Sequence, residues 1–555
     1  MRRRTLTGKP MHRAAEMYIR DFKAGKMSRR EFMTYATTVG LTAATAGSII
    51  GARPARAGGH IQQGGTLRIQ MEVHGMTEPR IYQWSEMGNQ TRGLLEHLVH
   101  YNADGSFTPV LLDSWEINDD ATEYRLNLRQ GVKWNNGDDF TSADVAANFE
   151  GWCDTTVEGS SMPGRMGSLV DPDTGVLRAG AIETPDDHTV VLKLPTPDIT
   201  IIAGIADYPA AVVHRTKIGV NHIDEGGSAL GTGAYMLEDY SVGEKSVWVK
   251  NPNHTWWNAD NGAYLDRVEF IDYGTDPATI LAAVEAEEVD MVYETVGDFV
   301  DILDGLGLVR SEAQTAATII CRPNAITEVD GMKPYADVRV RKALAMAVDN
   351  AVVLELGYAG RGNVAENHHV SPIHPAYAEL PPLTVDPAGA AALMEEAGMM
   401  DYEHEIHSLD DGWERDSTDA IAAQLRDAGF KVKRTVLPGS TYWNDWQKYP
   451  FSSTTWNQRP FGTQVLTLAY TSNAVWNETG FANEEFDRIL AEANAIADAD
   501  QRREKMRRLE EIMQEEGVII QPFWRSIYNH YTENVVNAEM HPQFEIKYQH
   551  IGLAG

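Results

Sequence analysis

The chain has 555 residues, 43% of them hydrophobic, enough for a large core and for more than one lobe. Acidic residues outnumber basic ones 80 to 48, which argues against a nucleic-acid partner because phosphates would be repelled. Such a surface suits solubility in a salty exterior compartment, and much of it is ordinary solvated surface.

The N-terminal segment is different. Arg2, Arg3, Arg4, Lys9, Arg13, Arg20, Lys23 and Lys26 make it basic, and Ser28-Arg29-Arg30-Glu31-Phe32-Met33 follows. From 32 to 52 there is no charge, and the run ends in Ala55-Arg56-Ala57, small residues of the kind a signal peptidase needs. A paired arginine before a weakly apolar run resembles a twin-arginine (Tat) export signal, with Thr34 where that signal usually carries Lys. A membrane anchor fits less well, since Thr34, Thr37, Thr38, Thr42, Thr45 and Ser48 suit lipid poorly. Residues 1–57 are therefore expected to be a leader cut after Ala57, giving a periplasmic protein that starts near Gly58.

Gly64-Gly65 reads as a turn feeding a strand at 66–69. The spacing of Leu94, Leu95 and Leu98 predicts a helix over 91–100. Alternation predicts a hairpin from 115–117 and 124–128 about Asn118-Asp119-Asp120, and Thr141 should open a helix to 149. Strands are expected at 190–194, 234–240, 265–271 and 289–292, with a helix at 278–287. The strongest helix should run from 338 to 348, burying Val340, Ala343, Leu344 and Ala347. Helices at 387–396, 418–428, 484–497 and 501–515 and strands at 405–409, 431–437 and 518–523 complete an α/β pattern. Cys153 and Cys321 are far apart in sequence, and the reading is two unpaired, mostly buried thiols.

Three blocks carry a family resemblance. The first runs from Leu94-Leu95-Glu96-His97-Leu98 through Pro109 to Glu116, Leu128 to Trp134 and Gly137 to Val145. The second is Gly231-Thr232-Gly233-Ala234-Tyr235 with Asn251-Pro252-Asn253-His254-Thr255-Trp256-Trp257. The third is Asp337-Val338-Arg339-Val340-Arg341-Lys342-Ala343-Leu344, extended by Asp386-Pro387 and Ala397-Gly398. In this order they resemble the family 5 extracellular solute-binding proteins, which serve peptide, nickel and opine ABC importers. The resemblance implies a two-lobed periplasmic-binding-protein fold. Lobe I would span 58–321 with an extra subdomain at about 84–230, lobe II 322–522, and 523–555 would return to lobe I. Two crossing strands would form a hinge, and a small ligand would be trapped between the lobes of a monomer and passed to a permease and its ATPase, with no cofactor.

The family's lobe II ligand segment is a Trp-Gly-x-Asp-x-x-Asp-Pro pattern, whose acidic residue meets a peptide's α-ammonium. Here the stretch is Thr455-Trp456-Asn457-Gln458-Arg459-Pro460-Phe461-Gly462-Thr463. Trp456 matches, but the acidic residues do not appear, and Arg459 and Thr463 lie about where they belong. An arginine with no carboxylate beside it would repel an ammonium group and attract an anion through its planar donor fork. A structural ion pair on the cleft rim is the competing role for Arg459. Tyr82 and Trp84, Arg165 from Met162-Pro163-Gly164-Arg165-Met166-Gly167, and Trp443, Trp446, Trp456 and Asn457 are further ligand-site candidates. For any single tryptophan, lobe core is the competing role, and for Arg165 it is exposed surface.

Histidines gather in Glu366-Asn367-His368-His369 with His374, and in Glu403-His404-Glu405-Ile406-His407, without a specific metal-ligand spacing. Two other classes remain open: an exported hydrolase, and a periplasmic sensor on the same fold. Against a hydrolase, the chain has no Gly-x-Ser-x-Gly elbow and no His-Glu-x-x-His helix. A permease and ATPase gene pair beside this one would favour transport over sensing.

Overall fold

The computed structural model describes residues 12–51, 61–274, 276–410 and 412–555. The cleavage point expected after Ala57 lies outside these residues. The chain forms three N-terminal helices, α1 (Arg13–Lys23), α2 (Arg29–Thr38) and α3 (Ala43–Ile49), and then a two-lobed α/β body.

Strand β1 (Thr66–Gln70) enters the main sheet. An insertion follows, carrying an antiparallel sheet of β2 (Leu112–Ile117), β3 (Glu123–Leu128), β4 (Ile182–Asp186) and β5 (Thr189–Lys193), in the order β2-β3-β5-β4. The chain then returns through β6 (Tyr235–Ser241), β7 (Lys245–Lys250), β8 (Arg267–Ile271) and β9 (Met291–Thr295). The long β10 (Val309–Pro323) leads to the second lobe, with β11 (Glu403–Leu409), β12 (Lys431–Leu437) and β13 (Phe451–Trp456). Helices α4 (Gly462–Tyr470), α5 (Glu484–Ala495) and α6 (Ala499–Glu515) follow, and β14 (Phe523–Tyr531) runs back.

One twisted sheet links both lobes, in the order β12-β11-β13-β10-β14-β9-β1-β8-β7-β6. Its centre is the pair β10 and β14. Residues 309–314 of β10 pair with 526–531 of β14 and Thr318 with Trp524, and Thr318 to Pro323 pair with β13 on the other edge. Between Gln314 and Thr318 the β10–β14 register shifts. The interrupted stretch is held by the Thr315 hydroxyl, which donates to the Arg525 carbonyl at 2.6 Å, and by the Gln458 side chain, which accepts from the Ala316 amide at 3.1 Å.

The Gly231-Thr232-Gly233 motif has a packing reason. A Cβ on Gly233 would lie 2.2 Å from the Gly93 carbonyl, and one on Gly231 would lie 2.2 Å from that of Leu94. Without side chains the two backbones meet, and Gly233 donates to Leu94 at 2.9 Å while Tyr235 donates to Gly93 at 2.9 Å.

The same contact corrects the helix expected over 91–100. The helix is Ser85–Thr91, and the chain then turns into a strand at Val99–Tyr101. Gly93 gives its amide to the Tyr548 hydroxyl at 2.7 Å and its carbonyl to Tyr235, so its polar groups leave the helix pattern. Leu94, Leu95 and Leu98 are buried nonetheless. The strand expected over 518–523 is also displaced: it begins at Phe523, directly after Pro522, which has no N–H to give a ladder. Cys153 and Cys321 are buried and free.

Candidate functional site

The segment after β13 lies where the two lobes touch. The Asn457 amide donates to the Ser85 hydroxyl at 3.1 Å and the Gln458 amide to the Tyr101 hydroxyl at 3.3 Å. The Arg459 Nε stands 3.1 Å from Asp207 Oδ2. The same carboxylate oxygen accepts from Arg165 Nε at 2.8 Å, and Arg165 Nη2 is 2.7 Å away. Arg459 and Arg165 thus converge on one acid, and all three side chains are enclosed, at 4%, 2% and 2% exposure for Arg459, Arg165 and Asp207.

The expectation that Arg459 has no carboxylate beside it is therefore overturned, and so is surface exposure for Arg165. Asp207 comes from the inserted region, and nothing near it in sequence marks it as a partner. Burial alone would push its carboxyl up; the Arg165 and Arg459 guanidiniums, with the Tyr208 amide, outweigh burial and hold it below its ordinary range. Each arginine is further fixed: Arg165 donates to the Ser161 carbonyl and hydroxyl at 3.0 and 2.6 Å, and Arg459 Nη1 to the carbonyls of Asn457 and Gln458 at 3.1 Å each. Two guanidiniums around one carboxylate leave the cluster with one net positive charge.

Aromatic rings surround it. Trp84 and Trp443 meet across the lobes with centroids 4.5 Å apart. The Arg459 guanidinium lies 5.7 Å from the centre of the Tyr208 ring and that of Arg165 lies 5.3 Å from Trp476. Trp84, Tyr208, Trp443, Trp446, Trp456 and Trp476, with Gln83, Thr454, Thr455, Asn457 and Arg459, line a slot of 70 Å³. Arg165 itself lines a larger cavity, 260 Å³, with Ser168, Asp198, Gln464 and Asn494 among others.

Trp456 is oriented from behind. Its indole N–H donates to Glu478 Oε1 at 2.7 Å, and Glu478 also accepts from Thr454 and from Arg322 Nε at 2.8 Å. The Trp456 ring meets His369 and Trp476 edge-on. Sequence reading thus brought together Trp84, Trp443, Trp446, Trp456, Asn457, Arg459 and Arg165, and missed Asp207, Tyr208, Trp476, Glu478 and Arg322. Trp476 was the legible one of these, an aromatic two residues before an acid. Three candidates stand outside the slot: Arg165, which lines the larger cavity, Tyr82 and Thr463. Tyr82 is enclosed with its hydroxyl 3.3 Å from that of Thr91, and Thr463 is buried in the first turn of α4, where its carbonyl accepts from Thr467 at 2.8 Å.

The histidines are used internally. His368 pairs with Glu366 at 3.0 Å, His369 meets the Tyr470 hydroxyl at 2.7 Å, and His374 accepts from the Ser371 amide at 3.0 Å. Among the described residues no three His, Cys, Asp or Glu side chains gather as a metal set.

The family model described as bacterial extracellular solute-binding proteins, family 5, middle region, matches residues 106–478. The chain belongs to this family. Curated family 5 relatives are distant. The oligopeptide-binding protein OppA of Haemophilus influenzae is 24% identical over 78% of this chain and 82% of its own length. A probable peptide-importer binding protein of Sinorhizobium fredii is 25% identical over 62% of this chain, and the match spans 65% of that relative. Among solved structures, the A. tumefaciens R10 binding protein AgaA, in complex with agropinic acid, aligns with a TM-score of 0.77 at 21% identity, over 88% of this chain and 99% of that one. The Escherichia coli murein tripeptide-binding protein MppA aligns with a TM-score of 0.78 at 19% identity, over 89% of this chain and 99% of the other. At these identities the structural likeness speaks for the fold.

Proposed function

We propose that this protein is the exported receptor of an ABC importer. It captures a small, carboxylate-bearing, amino-acid-derived or peptide ligand between its lobes and delivers it, chemically unchanged, to a permease and ATPase. Export would use the Arg29-Arg30 leader, with cleavage after Ala57, and the receptor would work as a monomer. Membership of family 5 supports the transport role.

The observation that carries the ligand class is the charge count at the lobe interface: among the described residues, Arg165 and Arg459 share one carboxylate partner, Asp207. A peptide's α-ammonium would face a net positive cluster there, whereas a carboxylate would gain a charge-assisted bond in a site of low dielectric. Flat or apolar ligand parts would stack in the tryptophan slot. The solved neighbours divide on this point: one is described with agropinic acid, others with peptides, and the arginine in place of the family acid favours the acid class. Ligand contacts to both lobes would shift the population toward closure.

The reading is tested by a thermal-shift screen on the protein recovered after export, using amino-acid derivatives, opines, peptides and their carboxamides. A tight ligand at 100 to 1,000 times its Kd stabilises by about 3–4 kcal/mol. Carboxylates are expected as hits, with the response lost in Arg459→Ala. A hit set of simple free-amine peptides, unaffected by that substitution, would refute the anion anchor.

A further inference from the structure

Helices α1 and α2 together touch both lobes, with α3 packed on α2. On the side of lobe I and its insertion, Arg30 donates to the Ala103 carbonyl at 3.2 Å and the Tyr101 hydroxyl at 3.1 Å. The Thr37 hydroxyl accepts from the Phe107 amide, and the Thr38 carbonyl from the Trp115 indole, both at 2.9 Å. On the side of lobe II, Glu31 takes Arg503 at 2.7 Å and the Ala376 amide at 3.2 Å, and the Tyr18 hydroxyl donates to the Ala497 carbonyl at 2.6 Å. The Tyr35 ring packs 5.9 Å from Phe461 and lies 5.2 Å from the Arg502 guanidinium.

The contact is a core and not a surface touch. Tyr18, Phe32, Tyr35 and Ala36 are fully buried. They belong to one apolar cluster that also holds Trp115 and Leu126 of the insertion and Phe461, Val465 and Met506 of the second lobe. Neighbouring residues of α2 thus serve opposite lobes: Arg30 holds one, Glu31 the other.

We infer that residues 12–49 form an interlobe strap that holds the lobes together in the unprocessed chain, and that loss of the leader releases the hinge. Opening requires the lobes to separate, so one flank of the strap must then give up its hydrogen bonds and expose buried aromatic surface to water. A competent open state that is rarely populated lowers the apparent affinity by that fraction, so the unprocessed chain would be a poor ligand receptor. A second consequence concerns the paired arginines. Arg30 is committed to lobe I and Arg29 donates to the Ile50 carbonyl at 3.2 Å. Any export receptor that reads Arg29-Arg30 would have to take a chain whose strap has swung away.

The test is an interlobe distance on the full-length chain. Spin labels at Val242→Cys and Leu356→Cys, exposed positions on opposite lobes, report it by pulsed electron resonance, and the buried native thiols stay unlabelled. The parent is expected to give one narrow distance. In Arg30→Gln/Glu31→Gln/Phe32→Ala a longer distance should appear, its population raised at least tenfold. If circular dichroism shows that this triple variant does not fold, Arg30→Gln/Glu31→Gln decides, since both positions are polar contacts. A distribution in the folded variant identical to the parent's, or a broad distribution in the parent itself, would overturn the strap.

Discussion

Asp207 is the acid on which the lobe interface turns. A single carboxylate holds two enclosed guanidiniums, so Asp207→Asn should leave both without their shared counter-charge. Breaking a buried pair from one side costs about 3–5 kcal/mol. A urea titration of this variant should show the loss, and an unchanged midpoint would mean the arginines are satisfied elsewhere. The buried histidines set a pH dependence. Burial pushes His97, His374 and His541 down to about 3, and His222 and His404 to about 4. Unfolded, each takes a proton near pH 6.5, so below that pH the unfolded chain binds more protons than the folded one. The stability they contribute is therefore complete above pH 6.5 and lost as pH falls, toward 4 for His222 and His404 and toward 3 for the other three, by about 1.4 kcal/mol per pH unit for each such group. Urea midpoints at pH 7.5, 6.5 and 5.5 should fall across the last interval; a flat series would contradict the assignment. Trp456 and Arg459 were legible because a family pattern keeps its tryptophan here and loses its acids. Asp207 was not, because its meeting with Arg459 depends on the whole chain's path.

At the level of elements, local signals decided what was legible. The helix Pro387–Glu396 follows from Asp386, which accepts from the Gly389 amide, and from Gly398 beyond its end. Strand Lys431–Leu437 starts just after Gly429 and pairs in parallel with β11 along its length. Strand β14 gave no such signal: all nine of its residues are buried, so no alternation marks it, and it carries Arg525, Ser526, Asn529 and His530. Helix α2 had a readable start, Ser28 with Glu31, whose amide gives its hydrogen to the serine hydroxyl at 3.1 Å. The leader motif on the same residues suggested a different use. The Gly-Thr-Gly turn yields a prediction at this scale. Gly233→Ala places a methyl against the Gly93 carbonyl and should destabilise by about 1–3 kcal/mol, the usual range for overpacking. Chemical denaturation checks it, and a neutral result would mean the two backbones can part freely.

For the molecule as a whole, the path of the main sheet is the mechanical argument. Strand β10 pairs with β14 on both sides of its register shift and with β13 from Thr318 onward, so two strands carry the connection between lobes. Arg459 meets Asp207 and Trp443 meets Trp84 across this joint, and closure about it would place a trapped guest against the same residues. The lobes, the sheet and the aromatic slot agree with a receptor; which guest it takes rests on charge. The most direct measurement is a calorimetric titration of the exported protein and its Arg459→Ala variant with a carboxylate hit and the matching carboxamide. The account predicts that the parent binds the carboxylate at least tenfold more tightly than the carboxamide, and that the variant binds both with the carboxamide's weaker affinity. Equal binding of the two compounds by the parent, or undiminished carboxylate binding by Arg459→Ala, would contradict it.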